Sequence, residues 1–248
     1  MKIAIVCSGG GMRCAYSAGV LYALATKYKY TSPDVMIAAS GSAGSAACYL
    51  AGGYEEMKTI WTELLSTPKF ISYLRLWRII DVNYLIDGVL KRQLPAGVQM
   101  LSRSKTKYYI PVRNTKSHVL RYISNDDDID IFETLRAAKA LPFLFRGKIT
   151  LQDEDYIDGG FGLPFEDLME KAKILGATQI IAIDNRRSIR KLREFQQYHP
   201  ENIALISNTT LPLRLLTHNK KSLSQTFKLG FNDALQNEEL RKLLQSLN

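Results

Sequence analysis

The chain is poor in cysteine, in histidine and in acid. Its three cysteines, Cys7, Cys14 and Cys48, are an odd number, scattered without metal-ligand spacing. They argue against a disulfide framework and read as buried thiols of a reducing compartment. With three histidines besides, the sequence offers no obvious metal site and calls for no cofactor. No apolar run is long enough to span a bilayer, so no segment is expected to cross a membrane. One lysine before a short apolar run is too little for a signal peptide, and Ile3 to Cys7 reads as the first strand instead. Repeats, low-complexity tracts and linkers are missing too. A single domain over 1–248 is the economical reading, with a less regular lid or insert at about 54–130 and a helical part at about 200–248.

The shortage of acid leaves a surplus of base. Against 24 Asp and Glu stand 33 Lys and Arg, a formal charge of +9. An anionic membrane surface, nucleic acid or an acidic protein would each suit it, and charge alone does not choose. The 46% hydrophobic and 23% charged content belongs to an ordinary globular protein able to bury a core.

Two strand–turn–helix junctions carry the chemistry. The first runs from Ile3–Cys7 through Ser8-Gly9-Gly10-Gly11-Met12-Arg13 into a helical pattern ending near Lys27. Consecutive glycines there let a backbone approach a ligand closely with several N–H groups aimed at it. A phosphate cradle and an oxyanion hole both remain open. A P-loop would need Gly-Lys-Ser/Thr, and the dinucleotide fingerprint would need glycine at Cys14. In the oxyanion reading Gly10 and Gly11 donate, supported by Arg13.

The second junction is Asp34 to Leu50. Val35–Ala39 reads as a strand, Ser40-Gly41-Ser42-Ala43-Gly44 as a tight turn, and the Ala-rich run beyond as a helix. Such an elbow lifts one side chain clear of the sheet with a helix N-terminus behind it. Ser42 is the expected apex, with Gly41 and Gly44 giving the turn its room and Ser40 standing where an elbow glycine is usual. A plain Ser/Gly helix cap is the competing reading.

Further along, Lys69 to Ile80 interleaves aromatic, aliphatic and basic residues. A half-buried helix is favoured there over a membrane-surface helix. Tyr108–Val112 and Val119–Ser124 read as strands, and Asn125–Asp128 as a solvated acidic turn rather than a calcium loop. Ile131–Ala140 is helical, and Asp158-Gly159-Gly160 closes a strand with an accessible carboxylate. Gln179–Ile183 is another strand, ending in Asp184-Asn185. Arg186, Arg187, Arg190, Lys191 and Arg193 form the densest basic cluster, and helices are expected from about Pro200.

In order, Gly9-Gly10-Gly11-Met12-Arg13, then Ser42 in its Ser/Gly turn, then Asp158-Gly159-Gly160, resemble the patatin-like phospholipases. Leu135-Arg136-Ala137-Ala138-Lys139-Ala140-Leu141-Pro142 is similar to the helix before that family's catalytic aspartate. Leu175-Gly176-Ala177 with Ile180–Ile183 is similar to its next helix–strand step. The likeness covers about Lys2 to Asn185, and Ser40 and Cys14 depart from the pattern.

The resemblance implies a three-layer α/β/α fold on a central, mostly parallel sheet. It also implies a lipid acyl hydrolase of the phospholipase A type. Ser42 would attack the ester and Asp158 take its proton, with Gly9, Gly10, Gly11 and Arg13 as oxyanion hole. Phospholipids or other acyl-ester lipids would be the substrate and an anionic membrane surface the partner, with no nucleic acid and no metal. The expected location is cytoplasmic, peripheral to a membrane. Two rivals stand beside it. One is an α/β-hydrolase triad of Ser42, Asp184 and His199 or His218. The other is a non-catalytic lipid- or phosphate-binding member.

Overall fold

Along β1 (Ile3–Cys7), Ile3, Ile5 and Cys7 enter one apolar cluster while Ala4 and Val6 enter another. β2 (Val35–Ala38) divides in the same way, Met36 and Ala38 against Val35 and Ile37. Strands buried on both faces need no polar alternation, which is why these runs are apolar throughout. The computed structural model describes residues 1–75, 78–142, 144–145, 147–186, 202–208 and 210–247, with residue 98 by its backbone alone.

The sheet adds β3 (Lys107–Asn114), β4 (Leu120–Ser124), β5 (Ile149–Leu151), β6 (Glu154–Asp158), β7 (Gln179–Asp184) and β8 (Ile203–Ser207). Its order is β5-β6-β3-β2-β1-β7-β8, with β4 also on β3. The pairs β1–β2, β1–β7, β2–β3 and β7–β8 are parallel. Those of β3 with β4, β3 with β6 and β5 with β6 are antiparallel. One face is covered by α1 (Ala15–Thr26), α2 (Gly41–Leu50) and, farther along the chain, α8 (Lys220–Gln236). The other is covered by α7 (Phe165–Ile174) through Phe165, Leu168, Met169 and Ala172. The expected three-layer α/β/α arrangement is thus present.

β3 is the strand that organises the site. Tyr109 pairs with both Ile37 of β2 and Ser124 of β4, while Val112 pairs with both Arg121 of β4 and Asp158 of β6. So β4 takes one edge of β3, and β2 and β6 share the other end to end. Because β2 is parallel to β3 and β6 antiparallel, their C-terminal ends face each other. The carboxyl end of a parallel strand is where α/β sheets place ligands.

Between β2 and β3 the chain makes short helical pieces. These are α3 (Tyr54–Thr59), α4 (Lys91–Gln93), α5 (Gly97–Ser102) and π-helical turns at Ile60–Leu64 and Tyr84–Leu90. Arg136 of α6 (Ile131–Ala137) anchors them, donating to Asn83 Oδ1 at 2.7 Å and to both oxygens of Asp87 at 2.8 and 3.0 Å. Asp130 starts α6 by accepting from the amides of Phe132 (2.7 Å) and Glu133 (3.1 Å), an N-cap.

Two local expectations change. The described residues of Lys69–Ile80, which leave out 76 and 77, form a looped-out turn rather than a helix, closed at its base by Asp81 N donating to Phe70 O at 2.8 Å. The C-terminal part opens with β8, not a helix: Ile203 to Ile206 is too short an apolar run for a helix and satisfies the free edge of β7. Two helices follow, α8 and α9 (Glu238–Gln245). The Asn125–Asp128 turn holds itself, Asp127 accepting from Ser124 N at 2.9 Å. Of the basic cluster only Arg186 is described. Arg187, Arg190, Lys191 and Arg193 lie outside the described residues, as does His199.

Candidate active site

β2 stops at Ala38 and α2 starts at Gly41, so two residues make the turn. The second, Ser40, has φ 54° and ψ −125°. A residue with a side chain is strained there and persists only where its surroundings enforce it. A sharp strand-to-helix elbow is one place where such strain presents a nucleophile. The Ser40 hydroxyl donates to Asp158 Oδ2 at 2.6 Å.

The expected pairing of Ser42 with Asp158 is therefore corrected. Ser42 lies within α2, fully buried, and its hydroxyl turns towards the β1 loop and α1. It donates to Ser8 O at 2.8 Å, accepts from Asn185 Nδ2 at 3.0 Å and stands 2.9 Å from Ser17 Oγ. Gly41 is where the elbow needs room: a Cβ there would fall 2.7 Å from Gly11 O and 3.0 Å from Cys14 Sγ. Gly44 is not part of the elbow. A Cβ on it would make only ordinary contact, 3.6 Å from Lys139 Cε.

Asp158 ends β6 and is 1% exposed. Its own amide donates to Ala140 O at 3.1 Å, and its Oδ1 accepts from Gly160 N at 2.8 Å. Burial raises its pKa to about 6, against the opposing pull of the Ser40 hydroxyl, the Gly160 amide and the Lys139 charge. The same burial pulls Lys139 down to about 8. Its ammonium donates only a long bond, 3.4 Å to Leu135 O, and forms no ion pair among the described residues.

The glycine loop lies against the elbow: a Cβ on Gly9 would come within 3.2 Å of Ser40 Cβ. Its ends are fixed, Ser8 N donating to Ile183 O and Met12 N to Leu215 O, both at 3.0 Å. The amides of Gly9, Gly10 and Gly11 between them meet no acceptor among the described residues. Arg13 leans back on the loop, Nε donating to Gly10 O at 3.4 Å.

Behind the loop is a polar cluster that sequence reasoning missed. Asp184 Oδ1 accepts from Ser8 Oγ at 2.7 Å. Asn185 donates to Ser8 O at 2.7 Å through Nδ2 and to Ser8 Oγ at 2.8 Å through its amide, and its Oδ1 accepts from Ser17 N at 3.0 Å. The available signal was Asp184-Asn185 itself, two polar residues ending an apolar strand. Asp184 is thereby committed to Ser8 and Arg186. His218 lines a separate hollow with Tyr73 and Lys220. The triad of Ser42, Asp184 and His218 is not assembled.

Two cavities meet at Ser40. A polar cleft is bounded by Gly10, Arg13, Asp158, Phe161 and Arg186. An apolar channel runs under the insert between Met57, Trp61, Phe70, Ile80 and Leu85, with the stem of Lys139 in its wall. Such a pair suits a ligand with a polar and an apolar end.

Several known proteins are similar to this chain. VipD from Legionella pneumophila superposes with a TM-score of 0.55 at 14% identity, over 99% of this chain and 67% of that one. A human GIVD cytosolic phospholipase A2 structure gives 0.46 at 13%, over 98% and 59%. Protein YjjU of Escherichia coli (strain K12) is 22% identical over 165 residues, 64% of this chain but only 45% of that protein's length. The family model described as Patatin-like phospholipase matches residues 5–169. That match takes in the glycine loop, the elbow and Asp158 together, and by it the chain belongs to the patatin-like phospholipase family.

Proposed function

We propose that the protein is a lipid acyl hydrolase in which Ser40 is the nucleophile and Asp158 the base. The observation that carries this reading is the 2.6 Å bond from a strained, elbow-borne hydroxyl to a buried carboxylate. An exposed aspartate is too weak a base near neutral pH, whereas one raised to about 6 is still ionised there and accepts a proton more readily. Ser40 Oγ attacks the ester carbonyl as its proton passes to Asp158. The amides of Gly9, Gly10 and Gly11 receive the oxyanion, with the Arg13 charge nearby. Asp158 returns the proton to the departing alcohol, leaving an acyl-serine, then takes a proton from the attacking water and hands it to Ser40 Oγ as the acid leaves. The acyl chain occupies the apolar channel and the headgroup the polar cleft. A phospholipid or related acyl-ester lipid is the substrate class, met at an anionic membrane surface to which the basic residues are drawn. Among the described residues no helix is long and apolar enough to cross a membrane. The whole described chain acts as one domain.

The test is a fluorophosphonate probe followed by peptide mapping, beside hydrolysis of a soluble ester and of phospholipid. Labelling at Ser40 is expected. Ser40→Ala and Asp158→Asn should each lower turnover by about three orders of magnitude or more. Labelling at Ser42, or full turnover by Ser40→Ala, overturns the assignment.

A further inference from the structure

Three exposed apolar residues lie on two loops that contribute to the wall of the channel, the loop of Phe70 and Ile71 and the loop of Leu215 and Leu216. Leu74 is 93% exposed, the highest value among the described large hydrophobic side chains, and its neighbour Tyr73 is 57% exposed. Leu215, at 42%, lines both the apolar channel and the polar cleft. Tyr73 Oη donates to Leu216 O, which joins the loop of residues 70–80 to the loop of residues 214–220.

The described residues of this stretch, 70–75 and 78–80, hold Tyr73 and Leu74 outward. Ile71 and Ile80 bridge its base, Ser72 N donates to Ile79 O at 2.9 Å, and the Arg75 guanidinium binds Phe70 O at 3.0 Å and Asp81 Oδ2 at 3.2 Å. Phe70, Ile71 and Ile80 face down into the channel while Tyr73 and Leu74 face out. A solvent-held loop gains nothing by ordering a leucine this way, since its apolar surface stays wet.

Charge identifies the occupant. Lys69, Arg78 and Arg214 are exposed beside this rim and make no ion pair among the described residues. The acids nearby, Asp81 and Glu63, are already paired, with Arg75 and Lys220. Apolar tips flanked by Lys69 and Arg214, with Arg78 resting over the Phe145 ring, match a lipid surface with anionic headgroups better than a protein partner, which would bring discrete carboxylates to specific sites.

We propose that this rim docks the protein on an anionic lipid surface, Tyr73 and Leu74 entering the headgroup–acyl boundary so that a lipid slides into the channel without passing through water. The proposal rests on the hydrolase reading for its purpose, but its test is independent of it. Binding is measured by co-sedimentation with phosphatidylcholine vesicles, with and without phosphatidylserine, in a Ser40→Ala background. Turnover is measured separately with native Ser40 on a soluble monomeric ester and on the same vesicles.

Leu74→Asp should weaken vesicle binding at least about tenfold. Paired Lys69→Glu and Arg214→Glu should abolish the preference for phosphatidylserine. Leu74→Asp should hydrolyse the soluble ester at the rate of native protein but lose vesicle hydrolysis in step with binding. Unchanged vesicle binding by Leu74→Asp overturns the proposal. So does a loss of self-association with binding intact, which would make the rim an interface between copies. If neither ester is hydrolysed while the binding results hold, the hydrolase reading fails and the docking surface stands.

Discussion

Ser42 Oγ and Asn185 Nδ2 lie 3.0 Å apart, and both donate to the carbonyl of Ser8, at 2.8 and 2.7 Å. Both lone pairs of that carbonyl are thereby occupied. The peptide unit that contains the Gly9 N–H cannot rotate without breaking them. These residues hold the glycine loop from behind.

Asn185→Ala should therefore act on rate more than on binding. It leaves Ser8 O and Ser17 N short of a partner, and the loop loses its alignment. We expect kcat on a soluble ester to fall by about 10–100-fold with KM changed little, and stability to fall by about 1–3 kcal/mol. Ser42→Ala removes one of the two clamps and should keep activity within about tenfold. Steady-state kinetics and thermal denaturation of both variants decide the matter, and an unimpaired kcat in Asn185→Ala would refute the clamp.

Asp158 predicts a pH profile and a stability effect of opposite value to the cell. With its pKa at about 6, kcat/KM should fall about tenfold per unit as pH drops below that value and level off above it. The folded-state pKa lies above the unfolded one, so the folded state binds the extra proton. The stability that this contributes is complete below about pH 4 and is lost as pH rises through about 6. Asp158→Asn carries no such penalty. It should be inactive yet more stable than native protein at pH 8, by an amount of the order of 2–3 kcal/mol. Denaturant melts of the two proteins at pH 4.5 and pH 8 measure it, and an equal or lower stability of Asp158→Asn at both pH values counts against the buried-charge account.

Lys139 is the cation whose field resists the protonation of Asp158. Lys139→Met keeps the channel wall filled and removes the charge. The acid limb of kcat/KM should move to higher pH. Because the folded-state pKa of Lys139 is depressed to about 8, native stability is lost as pH falls through about 8, and the methionine variant should melt higher at pH 7. A pH profile identical to native protein would show that the charge does not reach the carboxylate.

Gly41 and Gly44 respond differently to one added methyl. At Gly41 the Cβ meets backbone oxygen of the glycine loop at 2.7 Å, so Gly41→Ala should cost about 1–3 kcal/mol and most of the activity. Gly44 has ordinary clearance inside a helix, where alanine is preferred by about 1 kcal/mol. Gly44→Ala should fold at least as well as native protein and still turn over a short-chain ester. The reverse ranking would restore Ser42 as the elbow residue.

Much of this was legible in the chain. Ile3–Cys7, Val35–Ala38 and Gln179–Asp184 declare themselves as strands because they are buried on both faces and so lack polar interruptions. Asp158 was legible only through the family resemblance, since Asp-Gly-Gly by itself is usually no more than a turn. The choice between Ser40 and Ser42 was not, since Ser-Gly-Ser-Ala-Gly accommodates an elbow in either register. Backbone torsion decides it, and the small residues two places away, Ala38 and Ser42, do the work usually given to glycines. The clamp at Asn185 was hidden for another reason. It depends on β7 lying beside β1, a pairing of residues more than 170 positions apart that no local pattern records.

The crossing at β3 has one more consequence. The hydroxyl comes from the first fifth of the chain, its carboxylate arrives on the far end of a strand laid down later, and the glycine loop is pinned later still, from β7 at one end and by Leu215 O at the other. A polypeptide ending before Asn185 would carry Ser40 and Asp158 without the donor that holds the Ser8 carbonyl, so the glycine loop takes its alignment only once β7 lies beside β1.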